Sequence, residues 1–322
     1  MTRIQLARMV GSYGVVLALA LLILFGYLRY ENFLGLFNIM SVLRYNSMFA
    51  LVALGMCFVI MTGGIDLSVG TVAALGSVVA AYASPYGPLA GLAAGVLVGL
   101  FVGLVNAVMI TRMHIMPFIA TLASMLAASG TALLIANNRS VPVSYQSGFT
   151  ELGQGNFLGL PIPAIIAALA FILGWIVLNY TATGRGVLAV GGSEESAKLM
   201  GLPADRIKVL VYLASGGLAG LAGVILAAQF GAGQPIEGVG WELFAIASVV
   251  VGGTLLTGGV GSVGSTLAGV LLLGILFTVL NFENGLGWIS LSAYWQSVIR
   301  GAFLLIVVIL QARLVPDRVV QH

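Results

Sequence analysis

The chain has 322 residues, of which 60% are hydrophobic and 7% are charged, and its formal net charge is +3. Soluble domains carry about 25% charged residues, so this composition excludes a soluble globular protein. The 13 basic residues are scattered among the loops, so nothing supports nucleic-acid binding. We therefore predict a single membrane domain over residues 1–322. No polar interval is long enough for an ATPase or a catalytic domain, so any energy source must lie in another chain.

Apolar segments of membrane-spanning length recur along the whole sequence. A transmembrane helix needs about 20 mostly apolar residues, because hydrocarbon offers its backbone no hydrogen-bond partner. The sequence therefore predicts an all-α, polytopic transmembrane bundle with both termini on one side. The third and eighth spans are short and rich in glycine, so we expect short or broken helices there. The ten predicted spans are 10–28, 46–62, 69–83, 88–110, 116–136, 163–180, 208–230, 242–257, 263–281 and 296–312.

Lysine and arginine residues near the span ends are divided unevenly between the two sides. The side that carries the N-terminus has Arg3, Arg8, Arg112, Arg185, Lys198, Arg206, Lys208, Arg313 and Arg318. The opposite side has Arg29, Arg44, Arg139 and Arg300. The positive-inside rule predicts that both termini are cytoplasmic, and the apolar run after Arg3 and Arg8 is typical of a retained signal anchor.

Residues 30–45 are too polar to span a membrane and too apolar for a free loop. This composition predicts an interfacial helix on the outer face. Aromatic residues prefer the membrane interface. We therefore expect outer-face anchors at Trp241, Trp288, Tyr294 and Trp295.

Two patterns inside the spans predict packing rather than chemistry. Glycines recur at every fourth position in the fourth span, at Gly91, Gly95, Gly99 and Gly103. Small residues let helix backbones approach closely in lipid, so this spacing predicts a tightly packed helix face. Cys57 is the only cysteine and lies in an apolar run, which predicts a small buried residue and allows no intrachain disulfide.

The segment GGIDLSVG lies between two apolar runs with almost no polar loop. An aspartate at this depth costs roughly 2.5–3.5 kcal/mol on insertion scales, so it is a functional candidate. Two interpretations stay open: the segment caps and hinges the next helix, or it takes part in substrate passage or gating. The candidate residues are Gly63, Gly64, Asp66, Ser68 and Gly70.

GGIDLSVG resembles the signature of the permeases that serve ABC importers of ribose, xylose, arabinose, galactose and related sugars. The segments AVGGSEESA (189–197), Met200-Gly201 and ASVVVGGTLLTGGVG (247–261) resemble further blocks of that family. The similarity covers residues 46–312. The segments GVGWELFAIASVVVGGTLLTGGVG and NFENG look most similar to the galactofuranose-type permeases.

The resemblance implies a transmembrane permease subunit of an ATP-driven monosaccharide importer that works by alternating access. It implies three kinds of protein partner: ATP-binding subunits, a second permease subunit that is the same or a sister chain, and a periplasmic sugar-binding protein. The chain would lie in the bacterial inner membrane and bind no cofactor itself, since the partner ATPase would use the ATP and magnesium. An ion-coupled secondary carrier or channel for a small polar solute is the alternative.

The loop at 181–208 is the longest predicted cytoplasmic run. Ser193 is a suitable N-cap, Glu194 and Glu195 favour a helix N-terminus, and Gly201 is suited to end the helix. The predicted short helix is marginal in water, so we expect another protein to dock against it. The resemblance implies a coupling helix for the ATP-binding subunit; a capped connector is the alternative. The candidate residues are Ser193, Glu194, Glu195, Ala197, Lys198, Leu199, Met200 and Gly201.

Polar and aromatic side chains in the spans are candidates for a substrate pathway, because neutral sugars need hydroxyl and amide partners rather than charge. We predict pathway contacts at Asn46, Phe49, Asn106 and Gln229. Most intramembrane polar residues instead bond between helices.

The sequence lacks GxxxxGK[ST], HExxH and GxSxG motifs. His114 and His322 are far apart in sequence, and Asp66 has no evident ionisable partner. We therefore predict no catalytic residue and no metal site, which disfavours an intramembrane enzyme and weakens proton coupling.

Overall fold

The computed structural model describes residues 3–285 and the single positions 295, 298, 299, 301, 302 and 305. Helices dominate the described range. They are α1 (Arg3–Arg29), α2 (Leu36–Met61), α3 (Val69–Ala83), α4 (Pro88–Thr111), α5 (Pro117–Ile135), α6 (Glu151–Gln154), α7 (Ile162–Tyr180), α8 (Ala182–Gly192), α9 (Glu194–Leu199), α10 (Ala204–Phe230), α11 (Trp241–Val251) and α12 (Val263–Gly285), with a 3-10 turn at Ser84–Tyr86.

Nine of the ten predicted spans coincide with apolar helices, and the tenth, at 296–312, lies outside the described residues except for the single positions given above. Within the described residues, seven helical segments are long and apolar enough to cross a membrane: Leu36–Met61, Val69–Tyr86, Pro88–Thr111, Pro117–Ile135, Ile162–Tyr180, Ala204–Phe230 and Val263–Asn284. Helix α11 has only 11 residues, which confirms that the eighth predicted segment is short. The predicted polytopic helical bundle is confirmed.

The prediction of a separate interfacial helix at 30–45 is wrong. Helix α2 begins at Leu36 and continues without a break to Met61. Its 26 residues extend about 39 Å at 1.5 Å per residue, which exceeds the roughly 30 Å hydrocarbon core. The polar residues at 36–45 are therefore the first turns of a helix that is longer than the core.

The predicted surface anchor at Trp241 is also wrong. Its side chain is buried, and its ring lies 4.8 Å from the ring of Phe49, centroid to centroid. Tertiary packing against α2 takes precedence here over the interfacial preference of tryptophan. Trp295 is exposed, whereas Trp288 and Tyr294 lie outside the described residues.

The polar interval after α5 folds over one end of the bundle. Strand β1 (Val141–Pro142) pairs antiparallel with β4 (Ala232–Gly233), which follows α10. A hairpin follows, in which β2 (Asn156–Phe157) pairs antiparallel with β3 (Leu160–Pro161). Helices α8 and α9 lie at the opposite end of α2, so the two ends of the bundle carry different structures.

Helix α10 lies at the centre and packs against α4, α3 and α2. The four glycines of α4 are buried, as their spacing predicts. A Cβ added at Gly99 would overlap the carbonyl oxygen of Gly216, and one at Gly103 would overlap that of Tyr212. The backbones of α4 and α10 therefore touch directly.

We expect Gly99→Ala to destabilise the protein, because its methyl group has no space between α4 and α10. The cost should be about 1–3 kcal/mol, as for other overpacked sites. The measurement is the melting temperature of the purified protein in detergent. Gly130→Ala in α5 is the matched control, since a Cβ there meets nothing within 4 Å, and an equal loss in both variants would contradict the packing argument.

Candidate functional site

The segment between α2 and α3 places a buried carboxylate inside the bundle. Asp66 is fully buried. Its Oδ1 accepts hydrogen bonds from the Ser68 amide at 3.0 Å and the Ser68 hydroxyl at 2.6 Å. Its Oδ2 accepts a hydrogen bond from the Ser215 hydroxyl of α10 at 2.8 Å. These three hydrogen bonds satisfy the carboxylate at the start of α3 and join it to α10, as the capping and hinge interpretation of Asp66 requires.

The same network extends to α4 and α5. Asn106 Nδ2 donates to the Ser68 hydroxyl at 3.0 Å, and Thr121 Oγ1 donates to the Ile65 carbonyl at 3.2 Å. Asn106 is fully buried. Asn106 therefore lies in this polar network and holds α3 against α4.

Sequence reasoning found no ionisable partner for Asp66, and the partners in the structure are hydroxyl and amide groups. Ser215 lies 149 residues further along the chain. A single serine in an apolar span carries no local signal for such a bond. Only the packing of α10 against α2 and α3 brings the two residues together.

The non-helical segment between α2 and α3, residues 62–68, is called the break below. Three glycine-rich segments meet beside the break, and we call their contact the glycine junction. It consists of Met61–Gly63, Gly191 at the end of α8, and Gly258–Gly259. The Gly259 amide donates to the Met61 carbonyl at 3.0 Å. A Cβ at Gly191 would overlap the Met61 carbonyl oxygen, and one at Gly258 would lie 2.8 Å from the Gly63 nitrogen. Both Gly63 and Gly258 have positive φ, of 79° and 85°. A shift of α8 therefore presses directly on the backbone of the break.

Gly64 and Gly70 are also in close contact. A Cβ at Gly64 would overlap the Tyr212 hydroxyl, and one at Gly70 would overlap the Gly238 carbonyl oxygen. Neighbouring segments therefore leave no room for a side chain at Gly64 or Gly70. At Gly63 a Cβ would only touch the Thr257 carbonyl oxygen, at 3.7 Å, so the positive φ is what favours glycine there.

Helix α9 follows α8 at the same end of the bundle. The Ser193 hydroxyl accepts a hydrogen bond from the Ser196 amide at 3.1 Å, and Gly201 has a φ of 80°, so the predicted cap and termination are confirmed. Ala197 is buried, whereas Leu199 and Met200 are 83% and 70% exposed. The helix thus presents two apolar side chains that nothing covers among the described residues.

Charged side chains fix α9 to the start of α10. Glu194 accepts hydrogen bonds from Lys198 at 2.8 Å and Lys208 at 2.5 Å, and Lys198 also lies 3.9 Å from Asp205. Partial burial alone would raise the pKa of Glu194, but the bonds from the two lysines outweigh it and hold the pKa below its usual value. Glu195 is exposed.

The four predicted pathway residues fall in three places. Asn46 and Phe49 line one cavity of about 760 Å³ between α2 and α12. Asn106 lies in the Asp66 network. Gln229 is near the end of α10, where its carbonyl accepts a hydrogen bond from Gln154 at 3.0 Å. No residue set in the described part of the chain could hold a metal through three or more His, Cys, Asp or Glu side chains.

Residues 38–308 match the family described as the permease component of the branched-chain amino acid transport system. The chain belongs to this family.

Several relatives align with this permease over most of the length of both chains. The ribose import permease protein RbsC of Bacillus subtilis (strain 168) is 40% identical over 97% of this chain and 96% of its own. The RbsC of Escherichia coli (strain K12) is 37% identical over 86% of each chain. The L-arabinose transport system permease protein AraH of the same strain is 36% identical over 94% of this chain and 90% of its own. No solved structure matches significantly.

These relatives confirm the resemblance to sugar-importer permeases that GGIDLSVG indicates. They are permease subunits, which confirms that this chain is not an enzyme. Together with the apolar helices, they identify the permease as a multi-pass inner-membrane protein.

We expect Asp66→Ala and Ser215→Ala to be energetically coupled in the permease. Each variant leaves buried hydrogen-bonding groups unsatisfied, at about 1–3 kcal/mol per group. The double variant should therefore cost less than the sum of the single variants, by about 0.5–3 kcal/mol. The measurement is the free energy of unfolding in a detergent titration. The control is Asp205→Ala at the exposed start of α10, which should not be coupled to either variant. Additive losses for Asp66→Ala and Ser215→Ala would contradict the hydrogen bond between the two side chains.

Proposed function

We propose that this permease is the transmembrane subunit of an ATP-driven importer of a monosaccharide. The proposal depends chiefly on α9, a capped helix with two exposed apolar side chains that is joined through α8 to the glycine junction. Helix α9 has six residues and is held by α10 on one side only, so its exposed Leu199 and the adjacent Met200 are available to a docked partner. Relatives that align over nearly their full length are named for ribose and arabinose transport. These names support a sugar as the substrate.

The proposed mechanism is alternating access. Closure of the ATP-binding subunits moves α9, and α8 transmits the movement to the glycine junction. Backbone contacts resist compression, so the break before α3 shifts with α8 rather than absorbing the movement. The spans around the break then tilt between outward-open and inward-open states.

The proposed assembly contains ATP-binding subunits at α9, a second permease subunit that is the same or a sister chain, and a periplasmic sugar-binding protein. The permease would bind no cofactor, and the ATPase would use ATP and magnesium. The excess of lysine and arginine on that side supports a cytoplasmic location for α9 and both termini.

Three observations point to different transported substrates. The relatives are named for the pentoses ribose and arabinose, whereas the sequence segments suggest galactofuranose. The family description names branched-chain amino acids. An uptake panel of labelled ribose, arabinose, galactofuranose and leucine, measured with the assembled importer, separates these substrates. ATP-dependent uptake of one sugar is the expected result. Uptake by the purified chain alone under an ion gradient would instead indicate a secondary carrier.

We expect the double variant Leu199→Asp with Met200→Asp to lose the ATP-binding subunit. Two carboxylates replace the apolar surface that the partner would bury, and charge is disfavoured at the core of interfaces. The measurement is copurification of the ATP-binding subunit with the tagged permease, together with sugar uptake.

The matched control is Leu158→Asp in the hairpin at the other end of the bundle, where the side chain is 88% exposed. This variant should retain the ATP-binding subunit. Full copurification and uptake with the doubly substituted α9 would refute the coupling role.

We also expect opposite accessibility at the two ends of the bundle. In a Cys57→Ala background expressed without the ATP-binding subunit, a membrane-impermeant maleimide added to spheroplasts should label Leu158→Cys and spare Leu199→Cys. Both side chains are more than four-fifths exposed, so only their side of the membrane differs. Lysis should make both positions reactive, and the reverse pattern before lysis would invert the proposed orientation.

A further inference from the structure

The cavity between α2 and α12 has the size and the uncharged polar lining that a binding site for a neutral sugar should have. Its volume of about 760 Å³ is within the 300–1,000 Å³ range of small-molecule sites. Helix α2 contributes Asn38, Ser41, Val42, Tyr45, Asn46 and Phe49, and α12 contributes Gly274, Phe277, Thr278, Asn281 and Phe282. None of these lining residues carries a formal charge.

Three polar side chains of this cavity hydrogen-bond within their own helices. Ser41 donates to the Phe37 carbonyl at 2.8 Å, Asn46 to the Val42 carbonyl at 2.8 Å, and Thr278 to the Gly274 carbonyl at 3.0 Å. The hydroxyl oxygens of Ser41 and Thr278 therefore keep acceptor capacity for a bound molecule.

A hydrocarbon environment does not suit this lining. Asn46 lies beyond the first turns of α2 at 36–45, and an amide at that depth would be costly against lipid, because hydrocarbon offers no partner for it. Gly274 adds a specific feature, since a Cβ there would overlap the Asn46 amide. The glycine thus leaves room for a polar side chain at a depth where an apolar one would be the ordinary choice.

Aromatic rings close the deeper end of the cavity. The Phe49 ring lies 4.8 Å from that of Trp241 and 4.6 Å from that of Phe244. Phe244 in turn lies 5.6 Å from Phe277. Beyond Phe49, residues 50–61 of α2 are all buried, so the cavity ends at this aromatic floor.

We propose that this cavity binds the transported sugar, with the polar groups of α2 and α12 bonding its hydroxyls and the aromatic floor holding it before release. The inference rests on the proposed function and assigns its substrate site. A neutral solute rich in hydroxyls matches a lining of amides, hydroxyls and rings without charge. An anion or cation would lack a counter-charge there, and an apolar solute would offer no donor to the hydroxyl oxygens of Ser41 and Thr278.

The first test measures water access and protection in the assembled importer. In the Cys57→Ala background, Ser41→Cys and Thr278→Cys should react with a charged, membrane-impermeant methanethiosulfonate. The sugar that the uptake panel identifies should slow both reactions, and completed modification should block uptake. The control is Leu169→Cys, which is exposed on α7 outside the cavity lining and should not react if it faces lipid.

The second test uses a smaller change. Thr278→Val removes one hydroxyl at nearly constant volume and should raise the KM for uptake by about twofold to tenfold, the value of one hydrogen bond. Thr131→Val is the matched control, since this threonine also bonds a carbonyl of its own helix, at 2.7 Å, but lies outside the cavity. Its KM should stay unchanged.

The outcomes separate the two proposals. If the importer takes up no sugar of the panel, the proposed function fails and the substrate site fails with it. If uptake is normal but the cavity positions do not react, other protein or lipid fills the cavity, and only the substrate site is refuted. Reaction without sugar protection, combined with an unchanged KM for Thr278→Val, refutes it equally.

Discussion

Direct contact between helix backbones is the constraint on which this bundle depends. Lipid supplies little hydrophobic force between helices, so close packing and buried hydrogen bonds must hold them together. Glycines on α10 provide that contact on two sides: Gly216 meets α4, and a Cβ at Gly223 would overlap the Ala73 carbonyl oxygen of α3. On α2, a Cβ at Gly55 would lie 2.9 Å from the Cα of Ser215. The same approach brings the Ser215 hydroxyl within reach of Asp66, so helix packing and satisfaction of the buried carboxylate have one cause.

The glycine junction applies this constraint to the end of the bundle that carries α9. Gly191, Gly258 and the residues around Gly63 touch through backbone atoms, which are stiffer than side chains. An exposed helix is therefore connected to the break before α3 by contacts that cannot absorb much displacement. In the proposed cycle, this stiffness carries the movement of the ATP-binding subunit into the bundle.

The opposite end presents a cavity with an aromatic floor, and helix α2 connects the two ends. Its first turns carry Asn38, Ser41 and Tyr45 into the cavity, and its buried second half continues to Met61 in the glycine junction. In the proposed transport cycle, one continuous helix thus links substrate contact to the coupling end. A rigid α2 provides this link, whereas an interfacial helix followed by a separate span would interrupt it.

The sequence by itself determined the helical membrane bundle, the glycine face of α4 and the cap of α9, because each depends on local composition or spacing along one segment. It misplaced the start of α2, it predicted an interfacial position for the buried Trp241, and it did not identify Ser215 as a partner of Asp66. It also missed Ser41, Thr278 and Asn281 as cavity residues. These features depend on which helices become neighbours, and contacts such as that of Asp66 with Ser215, 149 residues apart, exist only once the bundle has formed.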